Sequence, residues 1–354
     1  MRYSSGMRNL GRHFCFFVIL SAFITGCTSE PKPAGPKLSG RLFALAGDRN
    51  RGADLLEGNG ATPGNYQIVT SGVLEAVASP DQAKLLYTNK DGVMLRDFGN
   101  SAVKSLIKGD SFCLAWAPDG NHFSYKQKSG ETTKLFAADL EGKAKLVLDD
   151  ENGSTACAIW IAPDRLVFDR FVGATTKKGS EQLKPNTTTV ATVGDPVKLK
   201  DTPRKWEVES VCAKSNNGFV RSADQGKLLI AKNIDHFENL DPSPAPCSEC
   251  RFVGYAAQSC VPFFVEQPTS TTTELFYLNP TNWQKQRPAT IKRTFAPSAK
   301  ALIKSSAKLM VIGDAGDLFL VDAESGEIVS LLDKPVESSD NAATAVIPVL
   351  WIEH

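Results

Sequence analysis

What this chain of 354 residues lacks narrows its chemistry first. It has no G-x-S-x-G elbow, so a serine hydrolase of that design has no nucleophile here. It has no H-E-x-x-H helix and no glycine loop that could cradle a phosphate. Histidine is scarce. There are four in all, and His122, His236 and His354 are the three that lie beyond the N-terminal leader. His122 follows Asn121 at the exit of a turn and His354 is the last residue, so no general base with a partner can be assembled. The acidic pairs Asp149–Asp150 and Asp314–Asp317 lack EF-hand spacing and read as turn residues rather than calcium ligands. No catalytic residue, metal site or cofactor is therefore expected, and the chain does not read as an enzyme.

Charge imbalance is also missing. The net charge is +1, and removing Arg2, Arg8 and Arg12 of the leader leaves 37 basic against 39 acidic residues. That balance argues against a nucleic-acid partner. The densest basic stretch, Lys177 to Lys205, reads as a solvated loop or an outer strand. Hydrophobic residues at 42% and aromatics at 8% suffice for a packed core, so disorder is confined to the polar segment after the leader.

The N-terminus carries an address. Arg2, Arg8 and Arg12 precede an apolar run of 11 residues, Phe14 to Ile24. This is too short to span a bilayer and right for the core of a signal peptide. It closes on Ile24-Thr25-Gly26-Cys27, which resembles the bacterial lipobox. The resemblance implies cleavage after residue 26, a diacylglycerol on Cys27 and anchoring through two or three acyl chains. An ordinary cleaved signal with an incidental cysteine is the alternative. Thr28 in place of Asp implies, by the Gram-negative sorting rule, an outer-membrane lipoprotein facing the periplasm. Residues 27–40, rich in proline and glycine, read as a tether. The folded domain is expected over 41–354.

The stretch Phe112 to Lys126 organises that domain. A strand ends in Trp116, Ala117-Pro118-Asp119-Gly120 turns the chain, and a second strand follows. Pro118 cannot donate to a ladder and presets the φ of a type I turn. Asp119 bonds its own backbone and Gly120 accepts positive φ. The unit recurs around Pro80-Asp81 (before AKLLYT), Pro163-Asp164 (before RLVFDR) and Pro297 (before AKALIKS). Spacing adds two weaker units, near Val211-Cys212 and Val253-Tyr255. Short strands repeating every 40 to 50 residues mark propeller blades. The expected fold is an all-β propeller of four-stranded antiparallel blades. Seven are expected, or six if the weaker units fail, with AVIPVLWIEH and GRLFALAG sealing the ring from both termini. These blades resemble those of TolB-like and WD-like propellers over roughly residues 40–354. The resemblance implies an architecture and is silent on chemistry. The α/β domain that precedes the propeller in TolB is missing.

Six cysteines remain beyond Cys15 and Cys27, an even number that reads as a disulfide framework in an exported chain. Cys113 and Cys157 each lie three residues before the tryptophan of a blade. They are expected to bridge, with two buried thiols as the alternative. Cys247-Ser-Glu-Cys250 could be a redox pair or half a zinc site. Structural bridges are the stronger reading, with Cys260 pairing to Cys247 or Cys250 and Cys212 taking the other. The functional expectation is a membrane-anchored envelope scaffold that binds an envelope protein or a peptidoglycan-associated factor. The alternative is an envelope lyase or glycan hydrolase with its site at the channel mouth.

Overall fold

The repeat unit folds as four antiparallel strands, and seven such sheets form a β-propeller. The computed structural model describes residues 38–47, 51–59, 64–150, 155–170, 187–212, 214–247, 250–256, 259–296, 299–304, 306–332 and 346–353. Blade 1 is shared between the termini. Val346–Ile352 is its innermost strand, and Arg41–Ala46, Ala53–Asn59 and Tyr66–Val73 complete it. Blades 2 to 7 span 75–108, 111–150, 159–203, 206–244, 251–291 and 300–330, each with its innermost strand first.

The core is not one mass but seven wedges, each filled from two neighbouring blades. Strand alternation produces this arrangement. In Asp317–Asp322, Leu318 and Leu320 pack towards blade 1 while Phe319 and Val321 pack towards blade 6. Strands buried on both faces read as nearly continuous apolar runs, as in LMVIGD and DLFLVD.

Ring closure follows the expected plan. Arg41 pairs with Ile352 and Ala46 with Val346, with a bulge at Phe43/Ala44. Pro348 is tolerated because the innermost strand is a sheet edge. The seam between blades 7 and 1 is close enough that a Cβ on Gly313 would lie 1.6 Å from the Val346 carbonyl oxygen. Leu38 is already buried, with Leu42 and Trp351. Packing therefore reaches at least to Leu38, three residues before Arg41.

The turn between the innermost and second strands is closed in the same way in five blades. An N–H at its first residue reaches the carbonyl five residues on, and the N–H three residues on returns to the first carbonyl. The pairs are Ser79/Lys84, Ala117/His122, Cys212/Asn217, Ala256/Val261 and Lys304/Leu309. Blade 4 makes the connection in two residues, Pro163 and Asp164. The reading of Pro297 is corrected here. Pro297 itself lies outside the described residues, but Lys300–Ile303 is the innermost strand of blade 7, not its second. Phe295 and Ala296 thus belong to the crossing from blade 6, and the turn of blade 7 runs from Lys304 to Leu309 with Ala307 at φ 57°.

Of the acidic pairs, Asp314 and Asp317 flank the two-residue turn Ala315–Gly316 as expected, whereas Asp149 and Asp150 do not lie in a turn. Asp149 and Asp150 end the outermost strand of blade 3. Asp149 pairs with Lys134 at 2.8 Å. Asp150 is buried 3.5 Å from the Lys126 ammonium, which also donates to the Thr155 carbonyl at 2.7 Å. Asp314 is buried and accepts the Ala296 N–H at 3.0 Å. Lys198–Pro203, within the basic stretch, is the outermost strand of blade 4, while residues 177–186 lie outside the described residues.

Candidate functional site at the channel mouth

Because every blade runs its innermost strand in the same direction, these turns gather at one mouth of the axial channel. A cavity of about 440 Å³ opens there. It is lined by Pro80, Asp81 and Gln82 of blade 2, Pro118, Asp119 and Gly120 of blade 3, Val211, Cys212 and Lys214 of blade 5, and Tyr255 of blade 6. A second cavity, of about 470 Å³, shares Pro118, Asp119, Val211, Cys212 and Lys214 with it and extends to Pro163, Asn216 and Asp235. Residues from four blades can line one cavity only where the blades converge. The motif residues thus have a second position to report: Pro80, Asp81, Pro118, Asp119, Gly120 and Pro163 shape turns and also face the mouth. Asp164 stays in its turn, where its carbonyl accepts the Val193 N–H at 2.7 Å.

The carboxylates at the mouth are engaged by nearby turns. Asp81 Oδ1 accepts the Ser79 hydroxyl at 2.5 Å and the Ala83 N–H at 3.1 Å. Burial pushes the Asp81 carboxyl up, but the Ser79 and Ala83 bonds and the Lys84 ammonium together hold it below its ordinary value. Asp119 Oδ1 accepts the Asn121 and His122 N–H groups at 2.9 and 3.2 Å, and its Oδ2 lies 2.7 Å from His122 Nδ1. Asp235 Oδ1 accepts the Asn216 amide at 2.6 Å, and Asn216 Oδ1 accepts the Asp235 N–H at 3.2 Å. His236 is exposed, 3.9 Å from Asp235. Burial pushes the Tyr255 phenol far up, so it stays protonated, 3.2 Å from the Ser210 hydroxyl. Lys214 brings an exposed ammonium to both cavities.

Two disulfides tie neighbouring blades. Cys113–Cys157 joins blades 3 and 4, and Cys212–Cys260 joins blades 5 and 6. Cys113 takes φ 58° within a bulge, and the Leu114 N–H beside it is satisfied by Glu75 of blade 2 at 3.0 Å. The expected bridges from Cys260 and Cys212 to the C-x-x-C pair are not formed. Cys212 opens its turn and Cys260 lies at the fifth position of the next, so the two meet directly at the mouth, leaving Cys247 and Cys250 as buried thiols. Among the described residues no three His, Cys, Asp or Glu side chains are grouped to hold a metal. Among them, too, no helix is long and apolar enough to cross a membrane. Cys27 lies outside the described residues.

Solved structures share this fold but little sequence. A functionally unknown protein from Desulfotomaculum acetoxidans is 11% identical, with a TM-score of 0.54 over 87% of this chain and 99% of that one. The periplasmic gluconolactonase of Pseudomonas aeruginosa is 12% identical, with a TM-score of 0.51 over 87% and 99%. TolB of Acinetobacter baumannii is 10% identical, with a TM-score of 0.42, and this chain spans 66% of its length. No family model and no curated protein matches the sequence. The likeness is one of architecture. Sequence reasoning placed most of the turns, and the period of about 45 residues reached the weaker units near Val211-Cys212 and Val253-Tyr255, but it did not single out Lys214, Asn216, Asp235 or Tyr255 as lining the mouth.

Proposed function

We propose that this chain is a lipid-anchored envelope protein whose propeller binds a protein partner at the channel mouth without catalysis. One observation carries the reading: the carboxylates of Asp81 and Asp119 already accept hydrogen bonds from their own turns, and that of Asp235 from Asn216 of the blade 5 turn. A general acid or base needs a carboxyl poised to exchange a proton with substrate. These serve as struts that hold the rim. What they fix in place is a rigid rim of Pro80, Pro118 and Pro163 around Tyr255, Val211 and Lys214, a preorganised surface that loses little entropy on docking.

Anchoring is supported by the apolar run Phe14 to Ile24 and the lipobox-like Ile24-Thr25-Gly26-Cys27. Thr28 favours the outer membrane, with the propeller facing the periplasm. The occupant is an envelope protein or a peptidoglycan-associated factor. The test is in-cell crosslinking from a photoreactive residue at Lys214, with Cys27→Ala as the control for anchoring. One envelope protein captured from position 214, and lost with Cys27→Ala, is expected. Capture that is equal from position 214 and from a blade's outer edge would refute the mouth as the docking surface.

A further inference from the structure

The C-x-x-C pair has no part in the channel mouth. Cys247 and Cys250 lie in the crossing from blade 5 to blade 6, in the wedge filled by Phe219, Ile230, Phe264 and Phe276. Both are buried, at 8% and 2% exposure. The Cys250 sulfur lies 3.2 Å from the Cys247 carbonyl oxygen, and both side chains pack in this one wedge. Glu266 sits beside them. Its carboxylate is held by the Lys285 ammonium at 2.7 Å.

The other four cysteines among the described residues are all in bridges, so the chain is built for an oxidising surrounding. In such a surrounding a contacting thiol pair does not stay reduced unless metal or burial protects it. No third ligand accompanies this pair among the described residues.

We propose that Cys247 and Cys250 close a third, local disulfide during maturation, by exchange with a small-molecule or protein disulfide. The step is balanced as follows. The Cys247 thiol gives its proton to water, and the thiolate attacks one sulfur of the oxidant, R–S–S–R. One RS⁻ leaves and takes up a proton. Cys250 then attacks the Cys247 sulfur of the mixed disulfide, expels the second RS⁻ and loses its own proton to it. Two S–H bonds are lost and one S–S bond is formed; the oxidant is reduced to two R–SH. Burial pushes both thiols above their ordinary range, Cys250 far above it, so few thiolates form in the closed fold and exchange there is slow. The bridge is accordingly made while the crossing is still open, as the chain folds.

The result would be a seam between blades 5 and 6 bridged at the mouth by Cys212–Cys260 and locked in its crossing by Cys247–Cys250. The Glu266–Lys285 pair would remain as a salt bridge over the Phe276 ring, which Lys285 covers at 3.9 Å from its centroid.

The test counts bridges by mass in the full chain, refolded from the reduced, denatured state in a buffer of reduced and oxidised glutathione. Remaining thiols are alkylated under denaturing conditions and the peptides mapped. The expected result is the mass deficit of three bridges, no alkylated cysteine among the six, and a peptide in which Cys247 and Cys250 are linked. A two-bridge deficit with Cys247 and Cys250 both alkylated overturns the proposal, as does a map that links either of them to another cysteine. The Cys247→Ala/Cys250→Ala variant should refold with two bridges and no alkylated cysteine. If it instead exposes Cys212 or Cys260, the third bridge is not local. Oxidant added after folding should close the pair at least tenfold more slowly than oxidant present throughout; equal rates would overturn the assignment to an open stage of folding.

Discussion

Removing either inter-blade disulfide tests whether the ring is held by its seams. The bridges close loops with sequence separations of 44 and 48 residues. Chain entropy alone then assigns each about 4 kcal/mol of stabilisation through the unfolded state. The difference between the two from loop length is only about 0.1 kcal/mol by the same relation. Packing separates them further. Cys212 and Cys260 are buried at 7% and 8% exposure, whereas Cys157 is exposed and Cys113 half-buried. Truncating the buried pair to alanine removes two core sulfurs, a further loss of about 1 kcal/mol or more. The expected order of cost is therefore Cys212→Ala/Cys260→Ala above Cys113→Ala/Cys157→Ala, at about 5 against about 4 kcal/mol. The two loops share no residues, so the quadruple variant should lose about the sum. That sum is comparable with the whole stability of an ordinary domain, about 5–15 kcal/mol. Urea unfolding followed by tryptophan fluorescence measures the losses, and mild reductant should open Cys113–Cys157 first. A cost below about 1 kcal/mol for either pair would refute the entropic account. So would a quadruple variant that loses no more than one pair alone.

Three further outcomes are expected. Gly313→Ala places a methyl against the Val346 carbonyl oxygen and should cost about 1–3 kcal/mol or more by thermal or urea unfolding; a neutral result would mean that the blade 7–blade 1 seam is looser than described. Lys126→Met leaves the buried Asp150 without its ammonium and should cost about 3–5 kcal/mol, with much of it recovered by adding Asp150→Asn; no recovery would show that packing rather than charge sets the loss. Burial pushes the Glu238 carboxyl up, but Arg165 holds it lower overall. A carboxyl that is more acidic in the fold stabilises fully above its ordinary value of 4.5 and loses that contribution as pH falls below it. Glu238→Gln should therefore flatten the loss of stability below pH 4.5, read by urea unfolding across pH; an unchanged slope would remove Glu238 from the cause.

Architecture was legible where a residue's own chemistry fixed the backbone. Pro118, Asp119 and Gly120 each impose a local constraint, and together they mark a strand end wherever they recur. Ring closure could be read because a lone apolar strand at the C-terminus has no sheet of its own to join. Pro297 misled for a related reason. Proline breaks any strand, so it marks a crossing between blades as readily as a turn within one. The turn that it seemed to mark, Lys304 to Leu309, reaches positive φ with an alanine, Ala307. Nothing in the side chain announces that conformation.

The cysteines and the mouth were less legible because both are products of radial position, which a one-dimensional spacing does not carry. Cys113 and Cys157 could be paired because they share one place relative to the tryptophans of adjacent blades. Cys212 and Cys260 share no such place: they occupy the first and fifth positions of their turns, and they meet because adjacent turns lean together at the axis. Lys214, Asn216 and Tyr255 reach the mouth for the same reason. In a propeller the repeat fixes every blade against its neighbour, so its residues are legible as structure. The few positions at which several blades meet are free to differ from blade to blade, and function must be sought in those departures: the lysine, the tyrosine and the bridge that only some turns carry.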